Sequence, residues 1–180
     1  TGESAGVVVG KEGLNLGGGA AGFSERHSYT KTESGRFGNH GVGLALTVIA
    51  GVADTHTAIW YLFDDVRLSR EAGSFIDHAA NDGYGIAISS VSLAEIVYLT
   101  EKGRIAPAVY RGLRVALADP LHVFREAALT MEIVEAMRQV LRIDLPDLPD
   151  RIVAATGLYF GVPVISRDGR IRSSKVQTIW

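Results

Sequence analysis

The chain has 180 residues, 47% of them hydrophobic, and a formal net charge of −2 at pH 7. This length and apolar content suit one folded domain with a tail. The weak acidity argues against a protein that coats RNA or DNA by charge alone. The absence of cysteine excludes disulfides, thiolate metal sites and a cysteine nucleophile, and it fits a reducing cytoplasmic location.

Residues 1–46 differ in composition from the remainder. They contain 12 of the 21 glycines and few large apolar side chains, so they cannot bury enough surface to offset the entropy lost on ordering. We predict a disordered tail at 1–46, which could be upstream sequence read from a misplaced start, and a folded domain at 47–180. The apolar run at 41–53 is too short to span a bilayer, and we predict no membrane association.

From residue 47 onward, strand and helix patterns alternate along the chain. The predicted elements are a strand at 47–53, helices at 55–64 and 69–81, a strand at 86–89, helices at 91–102 and 107–118, a strand at 122–127, helices at 130–140 and 149–160, and strands at 162–166 and 176–180. Such alternation is typical of an α/β fold with a mainly parallel sheet covered on both faces.

Four acidic residues stand beside apolar runs at the ends of these elements: Asp54, Glu95, Asp150 and Asp168. In a parallel sheet, strands end and the following helices begin at one edge, so we expect the four carboxylates to converge there within a few ångströms. Two carboxylates 4 Å apart repel by about 4 kcal/mol at an effective dielectric of 20. A hard divalent cation relieves that repulsion, which predicts a metal-dependent hydrolase of phosphate esters.

Structural explanations for the same residues remain open. Ser92 and Glu95 have the spacing of a capping box, and Asp147 with Asp150 nearly repeats it. Acids in a first helical turn also suit the helix dipole. The histidines at 56, 78 and 122 form no zinc-binding pair, and we interpret them as surface or satisfied core residues.

The segments VADTHTAIWYL, ISSVSLAEI, LPDLPDRIVAATGLYFGVPVISRD and VQTIW together resemble the PIN domain, and specifically the VapC-type toxins of bacterial toxin–antitoxin pairs. The resemblance spans 47–180 and implies a three-layer α/β/α fold whose mainly parallel sheet has four to five strands. It also implies a Mg²⁺- or Mn²⁺-dependent endoribonuclease that is neutralised by a cognate antitoxin protein. The apolar helices at 91–101 and 107–117 would pair two subunits in a homodimer or dock the antitoxin.

Carried onto this sequence, the resemblance assigns the four family acids to Asp54, Glu95, Asp150 and Asp168 as catalytic and metal-binding residues. Asp54 and Asp168 would bind the ion directly, and Glu95 and Asp150 partly through water. Further residues take accessory roles: Asp147, Thr55 and Ser166 would support the site, and Arg151, Arg167, Arg170 and Arg172 would bind phosphates of a single-stranded or looped RNA. Local backbone capping and exposed solubilising charge are the alternatives for the hydroxyls and the arginines.

One departure from a good helix sequence is Gly157, which costs about 1 kcal/mol relative to alanine unless it allows close helix packing. The sequence leaves three rival functions open. A PIN-like binding module without activity would keep the fold. A DNA-directed nuclease of the same fold is a second rival. A receiver-like domain phosphorylated on Asp54 would require an acidic pair ahead of that residue and a suitable late lysine, and Lys175 is the only late lysine.

Overall fold

The computed structural model describes residues 47–180, so the prediction of a disordered tail at 1–46 lies outside the described residues. Within 47–180 the strands are β1 (Ile49–Ala53), β2 (Gly85–Ser89), β3 (Phe124–Ala127), β4 (Val164–Ile165) and β5 (Thr178–Ile179). The α-helices there are α1 (Thr55–Leu62), α2 (Arg70–Asn81), α3 (Ser90–Glu101), α4 (Pro107–Ala118), α5 (Met131–Ala136), α6 (Leu148–Phe160) and α7 (Gly169–Ser173).

The five strands form one sheet in the order β3-β2-β1-β4-β5, and every neighbouring pair is parallel. Ala53 at the end of β1 is level with Ile88 of β2 and with Ile165 of β4. The chain crosses from one side of β1 to the other between β3 and β4, so β1 and β4 meet at a topological switch point. Open α/β sheets bind ligands outside the carboxyl ends of the strands at such a point.

Apolar side chains fill both faces of this sheet. One core packs α5 and α6 against the sheet and includes Val52 and Ile152, and the other packs α1, α2 and α4 and includes Ala53 and Ile88. All residues of β1 and β2 are buried, as expected for strands covered on both sides. The sheet therefore lies between two helical layers, which confirms the predicted α/β/α architecture.

Gly157 lies where α6 approaches β4 most closely. A Cβ atom added at this glycine would lie 2.7 Å from Val164 Cγ2 and 3.2 Å from the carbonyl oxygen of Val162. Side-chain carbons do not approach this closely without displacement. The structure thus supports the close-packing explanation for a glycine inside this helix.

The structure differs from the predicted elements mainly near the C-terminus. The strands predicted at 162–166 and 176–180 each shorten to two residues, and the helix predicted at 130–140 ends at Ala136 and continues as a 3₁₀ turn at Met137–Gln139. Helix α7 was not predicted because five residues are too few to show a helical apolar period. No helix within 47–180 combines the length and apolar character needed to cross a membrane.

Candidate active site

A cavity of about 190 Å³ opens at the carboxyl edge of the sheet. It contains all four predicted acids. Its lining residues are Asp54, Thr55, His56, Glu95, Asp147, Pro149, Asp150, Val153 and Asp168. These residues lie after β1 and β4, in α1, in α3 and at the start of α6, so the parallel topology brings together side chains that are distant in sequence.

Asp54 is the most constrained acid of the cavity. It follows β1, caps the N-terminus of α1 and is only 8% exposed. Its Oδ1 accepts a hydrogen bond of 2.6 Å from the backbone N–H of Thr57, and its Oδ2 accepts one from the Ser166 hydroxyl. Because both oxygens have donors, this largely buried carboxylate keeps a fixed orientation toward the cavity.

Ser166 connects the first and last acids of the site. Its buried hydroxyl donates to Asp54, and the same oxygen accepts a 3.0 Å hydrogen bond from the backbone N–H of Asp168. One contact is local and the other joins residues 112 positions apart. Ser166 therefore makes both a contact to the site and the local backbone contact of the capping alternative, and its supporting role in the site stays a prediction.

Asp168 follows β4 and caps the short helix α7. Its Oδ1 accepts hydrogen bonds from the backbone N–H groups of Arg170 at 2.8 Å and Ile171 at 3.2 Å. Its Oδ2 accepts no hydrogen bond from residues 47–180. The cap thus fixes the carboxylate while leaving one oxygen for a ligand.

Glu95 is held by Thr55, across the interface between α3 and α1. The buried Thr55 hydroxyl donates to Glu95 Oε2 over 2.6 Å, which places both side chains at the cavity. The capping-box alternative for Glu95 is wrong, because Ser89 is the N-cap of α3 and Ser92 lies inside the helix. The buried Ser92 hydroxyl has no hydrogen-bond partner among the described residues.

Asp150 lies in the first turn of α6 and has a strongly raised pKa. Burial raises its pKa to about 6, and the negative charges of Asp147, Asp168, Glu95 and Asp54 add to the rise. Asp147 occupies the N-cap position of α6, but its side chain makes no capping hydrogen bond. The capping alternative for this pair is therefore not realised, and Asp147 acts on Asp150 through its charge.

The acids surround the cavity but are not clustered tightly. Among residues 47–180, no three His, Cys, Asp or Glu side chains are arranged closely enough to coordinate one ion together. Their convergence is looser than the sequence predicted, although the charges of the other three acids all help to raise the pKa of Asp150. Such a set fits a cation held by one or two carboxylates and otherwise by water, which is how proteins usually bind Mg²⁺.

The chemistry of the lining also suits a hard cation. Apart from His56, the polar lining side chains are oxygen donors, and oxygen ligands favour Mg²⁺ and Mn²⁺ over zinc. No lysine or arginine of the described part lines the cavity. The salt bridges formed within 47–180 are Arg67–Asp65 and Arg138–Glu135, so none of the four acids is neutralised by a basic side chain of this segment.

The four predicted RNA-binding arginines have different surroundings. Arg151 donates to the backbone carbonyls of Val140 at 3.0 and 3.2 Å and of Met137 at 3.4 Å, so its guanidinium holds the turn after α5 and the structure favours a structural role. Arg167 is exposed and lies near Trp60, 5.7 Å from the ring centroid. Arg170 and Arg172 are exposed on α7, and their contact with RNA stays a prediction.

The sequence interpretation missed His56 as a cavity residue. Its side chain is exposed, as predicted for a surface histidine, but it lines the cavity beside the acids. The available signal was its position two residues after Asp54, in the first turn of a helix that begins at the edge of the sheet.

Together these features define a class: a parallel α/β protein with an uncompensated acidic cavity at the topological switch point of its sheet. The family model described as PIN domain matches residues 52–175. The chain belongs to the PIN domain family, which confirms the family that the sequence motifs resembled.

Individual proteins are also similar to the chain. The chain is 29% identical over 134 residues to ribonuclease VapC22 of Mycobacterium tuberculosis (strain ATCC 25618 / H37Rv), covering 71% of this chain and 95% of VapC22. VapBC2 from Rickettsia felis, crystallised with a DNA fragment from its promoter, matches with a TM-score of 0.55 and 14% identity over 72% of this chain and 97% of that one. A toxin–antitoxin complex from Klebsiella pneumoniae matches with a TM-score of 0.49 and 22% identity over 73% and 97%.

Proposed function

We propose that the protein is a metal-dependent endoribonuclease and the toxin of a VapC-type toxin–antitoxin pair. The observation that carries this proposal is that Asp54, Glu95, Asp150 and Asp168 all line one cavity. No lysine or arginine side chain of the described residues lines that cavity. Membership of the PIN domain family and the similarity to a protein named as a ribonuclease support it.

In this proposal Asp54 and Asp168 are the direct ligands of the cation, because each has a fixed orientation and Asp168 keeps one oxygen without a donor. Glu95 and Asp150 line the same cavity and act partly through water. A bound Mg²⁺ or Mn²⁺ supplies activation of a water molecule and neutralisation of charge at the scissile phosphate. Thr55 and Ser166 hold Glu95 and Asp54 in place, so the ligands need little reorganisation when the substrate binds.

A partner protein and a second subunit are also part of the proposal. The outer faces of α3 and α4 expose large apolar side chains, including Tyr98 at 54% and Val115 at 71%. An antitoxin or a second copy of the chain would cover such surface. We further propose a cytoplasmic location, in keeping with the absence of cysteine. Light scattering on the purified chain tests the homodimer, which a strict monomer at micromolar concentration would contradict.

RNA cleavage tests the proposal directly. The full chain is incubated with RNA in Mg²⁺, in Mn²⁺ and in EDTA, beside Asp54→Ala and a matched control, Asp82→Ala, whose residue is exposed after α2. We expect cleavage by the wild type and the control only with a cation. Because a metal site contributes several kcal/mol of transition-state stabilisation, the Asp54 variant should lose at least about 100-fold in rate.

Two other results would contradict the proposal or favour a different function. Cleavage by Asp54→Ala at the wild-type rate contradicts it. If the wild type cleaves nothing and no cation raises its melting temperature, the inactive binding module is favoured instead. A panel of RNA and DNA strands separates the ribonuclease from the DNA-directed rival, whereas the receiver-like alternative is inconsistent with the family assignment.

A further inference from the structure

A group of aromatic and basic side chains lies beside the acidic cavity. Trp60 in α1 is at its centre, with its ring centroid 5.5 Å from that of His56 and 5.7 Å from that of Trp180. The guanidinium carbons of Arg67 and Arg167 lie 5.2 and 5.7 Å from the Trp60 centroid. We call these five residues the tryptophan cluster. They come from α1, from the segment after α1, from the segment after β4 and from position 180.

The members of the tryptophan cluster differ in what they offer to a ligand. Trp60 is 6% exposed and serves as a buried centre, whereas His56 and Arg167 are exposed. Arg67 already binds Asp65 through two hydrogen bonds of 2.9 and 2.6 Å, so its charge is compensated. Within residues 47–180, Arg167 has no carboxylate within 4 Å. The histidine ring and the Arg167 guanidinium are therefore the groups with unused binding capacity.

These two groups are next to the cavity, one by lining it and the other by its position in the chain. His56 is one of its lining residues, and Arg167 immediately precedes Asp168, which is another. A polynucleotide with its scissile phosphate at the acids would therefore place an adjoining nucleotide against His56 and Arg167. Single-stranded nucleic acids are bound in this way, with bases stacked on aromatic rings or arginine planes and phosphates held by cations.

We propose that His56 and Arg167, held in place by Trp60, bind one unpaired base and its phosphate next to the scissile bond. The inference rests on the proposed ribonuclease function and adds a subsite to it. Bases inside a duplex are stacked on their neighbours and offer no free face to the histidine ring. The subsite therefore favours an unpaired strand over a helical one.

The test measures binding without cleavage. Fluorescein-labelled oligouridylate, alone or annealed to oligoadenylate, is titrated with the full chain in EDTA and followed by fluorescence anisotropy. Loss of base stacking or of the phosphate contact should raise the dissociation constant for the single strand by on the order of 5- to 100-fold in His56→Ala and in Arg167→Ala. His56→Phe keeps an aromatic face but no ring nitrogen, and it should restore wild-type binding.

Matched controls come from residues of the same types outside the cavity. His78 on α2 and Arg114 on α4 are exposed, and their alanine variants should bind the single strand like the wild type. For the duplex, the effect of His56→Ala should be much smaller than for the single strand. Equal losses on both probes, or failure of His56→Phe to restore binding, would overturn the stacking subsite.

Cleavage of RNA in Mg²⁺, measured separately, distinguishes this inference from the proposed function. If the wild type cleaves and both alanine variants bind like the wild type, the subsite alone is overturned. If the variants lose binding as expected and the wild type cleaves nothing, the subsite is supported and the ribonuclease proposal is overturned. If the wild type binds neither probe, the subsite is overturned irrespective of cleavage.

Discussion

Asp150 offers the sharpest test of the electrostatics in the cavity. Burial and the neighbouring carboxylates raise its pKa from the ordinary 3.8 to about 6, so the folded protein binds a proton there more tightly than the unfolded chain does. Ionisation of Asp150 therefore opposes folding. Its destabilising effect develops as the pH rises from about 4 to about 6 and stays constant above that range.

The size of this effect follows from the pKa shift of Asp150 and from the partial exposure of its carboxylate. A rise of this size corresponds to about 3 kcal/mol at about 1.4 kcal/mol per pKa unit. Solvent screening of the half-exposed carboxylate reduces the cost to about 1–2 kcal/mol. The N-terminus of α6 offsets about 0.3–1 kcal/mol of this cost, because the helix dipole favours the negative charge. We therefore expect Asp150→Asn to stabilise the metal-free protein by about 1 kcal/mol at pH 8, and not at pH 4.

Thermal and denaturant unfolding in EDTA at several pH values measures this difference. For a domain of this size, about 1 kcal/mol corresponds to a rise in melting temperature of roughly 3–5 °C. Asp82→Asn is the matched control, since Asp82 is exposed outside the cavity, and it should leave the pH dependence unchanged. An Asp150→Asn variant that is less stable than the wild type at pH 8 would refute the proposed cost of ionising Asp150. So would a variant whose stability keeps the wild-type pH dependence.

Three further substitutions test the packing around the site by denaturant unfolding. Ser166→Ala removes the hydroxyl that donates to Asp54 and should lower the free energy of unfolding by about 1.5–3 kcal/mol; an unchanged value would contradict the bridge. Gly157→Ala should destabilise by about 1–3 kcal/mol through the contact with Val164, despite alanine's higher helix propensity, and a more stable variant would show that the helix can shift. Ser92→Ala removes a buried hydroxyl without a partner in the described segment and should stabilise by about 1 kcal/mol, whereas a loss would indicate a hydrogen bond to that hydroxyl.

The sequence was sufficient to predict the edge of the sheet at which the acids gather. Apolar runs that end in Asp54 and Asp168 predict strand ends, and the alternation of strands and helices predicts a parallel sheet that aligns them. The return of Asp150 to this edge depended on the segment at 141–148, whose path has no sequence pattern. In the structure, the fully buried Leu145 anchors the segment from within. The hydrogen bond from Arg151 to the carbonyl of Val140 joins the residues on either side of it.

Other features depend on contacts between residues that are distant along the chain. The Thr55–Glu95 hydrogen bond spans 40 positions and the Ser166–Asp54 hydrogen bond spans 112, and no periodicity encodes such pairs. The structural role of Arg151 was missed for the same reason. His56 was read as an ordinary surface histidine because exposure and participation in a cavity are indistinguishable without the surrounding side chains.

A Mn²⁺ titration of RNA cleavage tests the shared acidic site most directly. The rate is measured against Mn²⁺ concentration for the full chain, for Asp54→Asn, Glu95→Gln, Asp150→Asn and Asp168→Asn, and for the Asp82→Asn control. We expect each cavity variant to need more Mn²⁺ or to lose cleavage altogether, with the control unchanged and no cleavage in EDTA. Wild-type titration curves for Glu95→Gln and Asp150→Asn, or cleavage by the wild type in EDTA, would contradict a cation shared by the four acids.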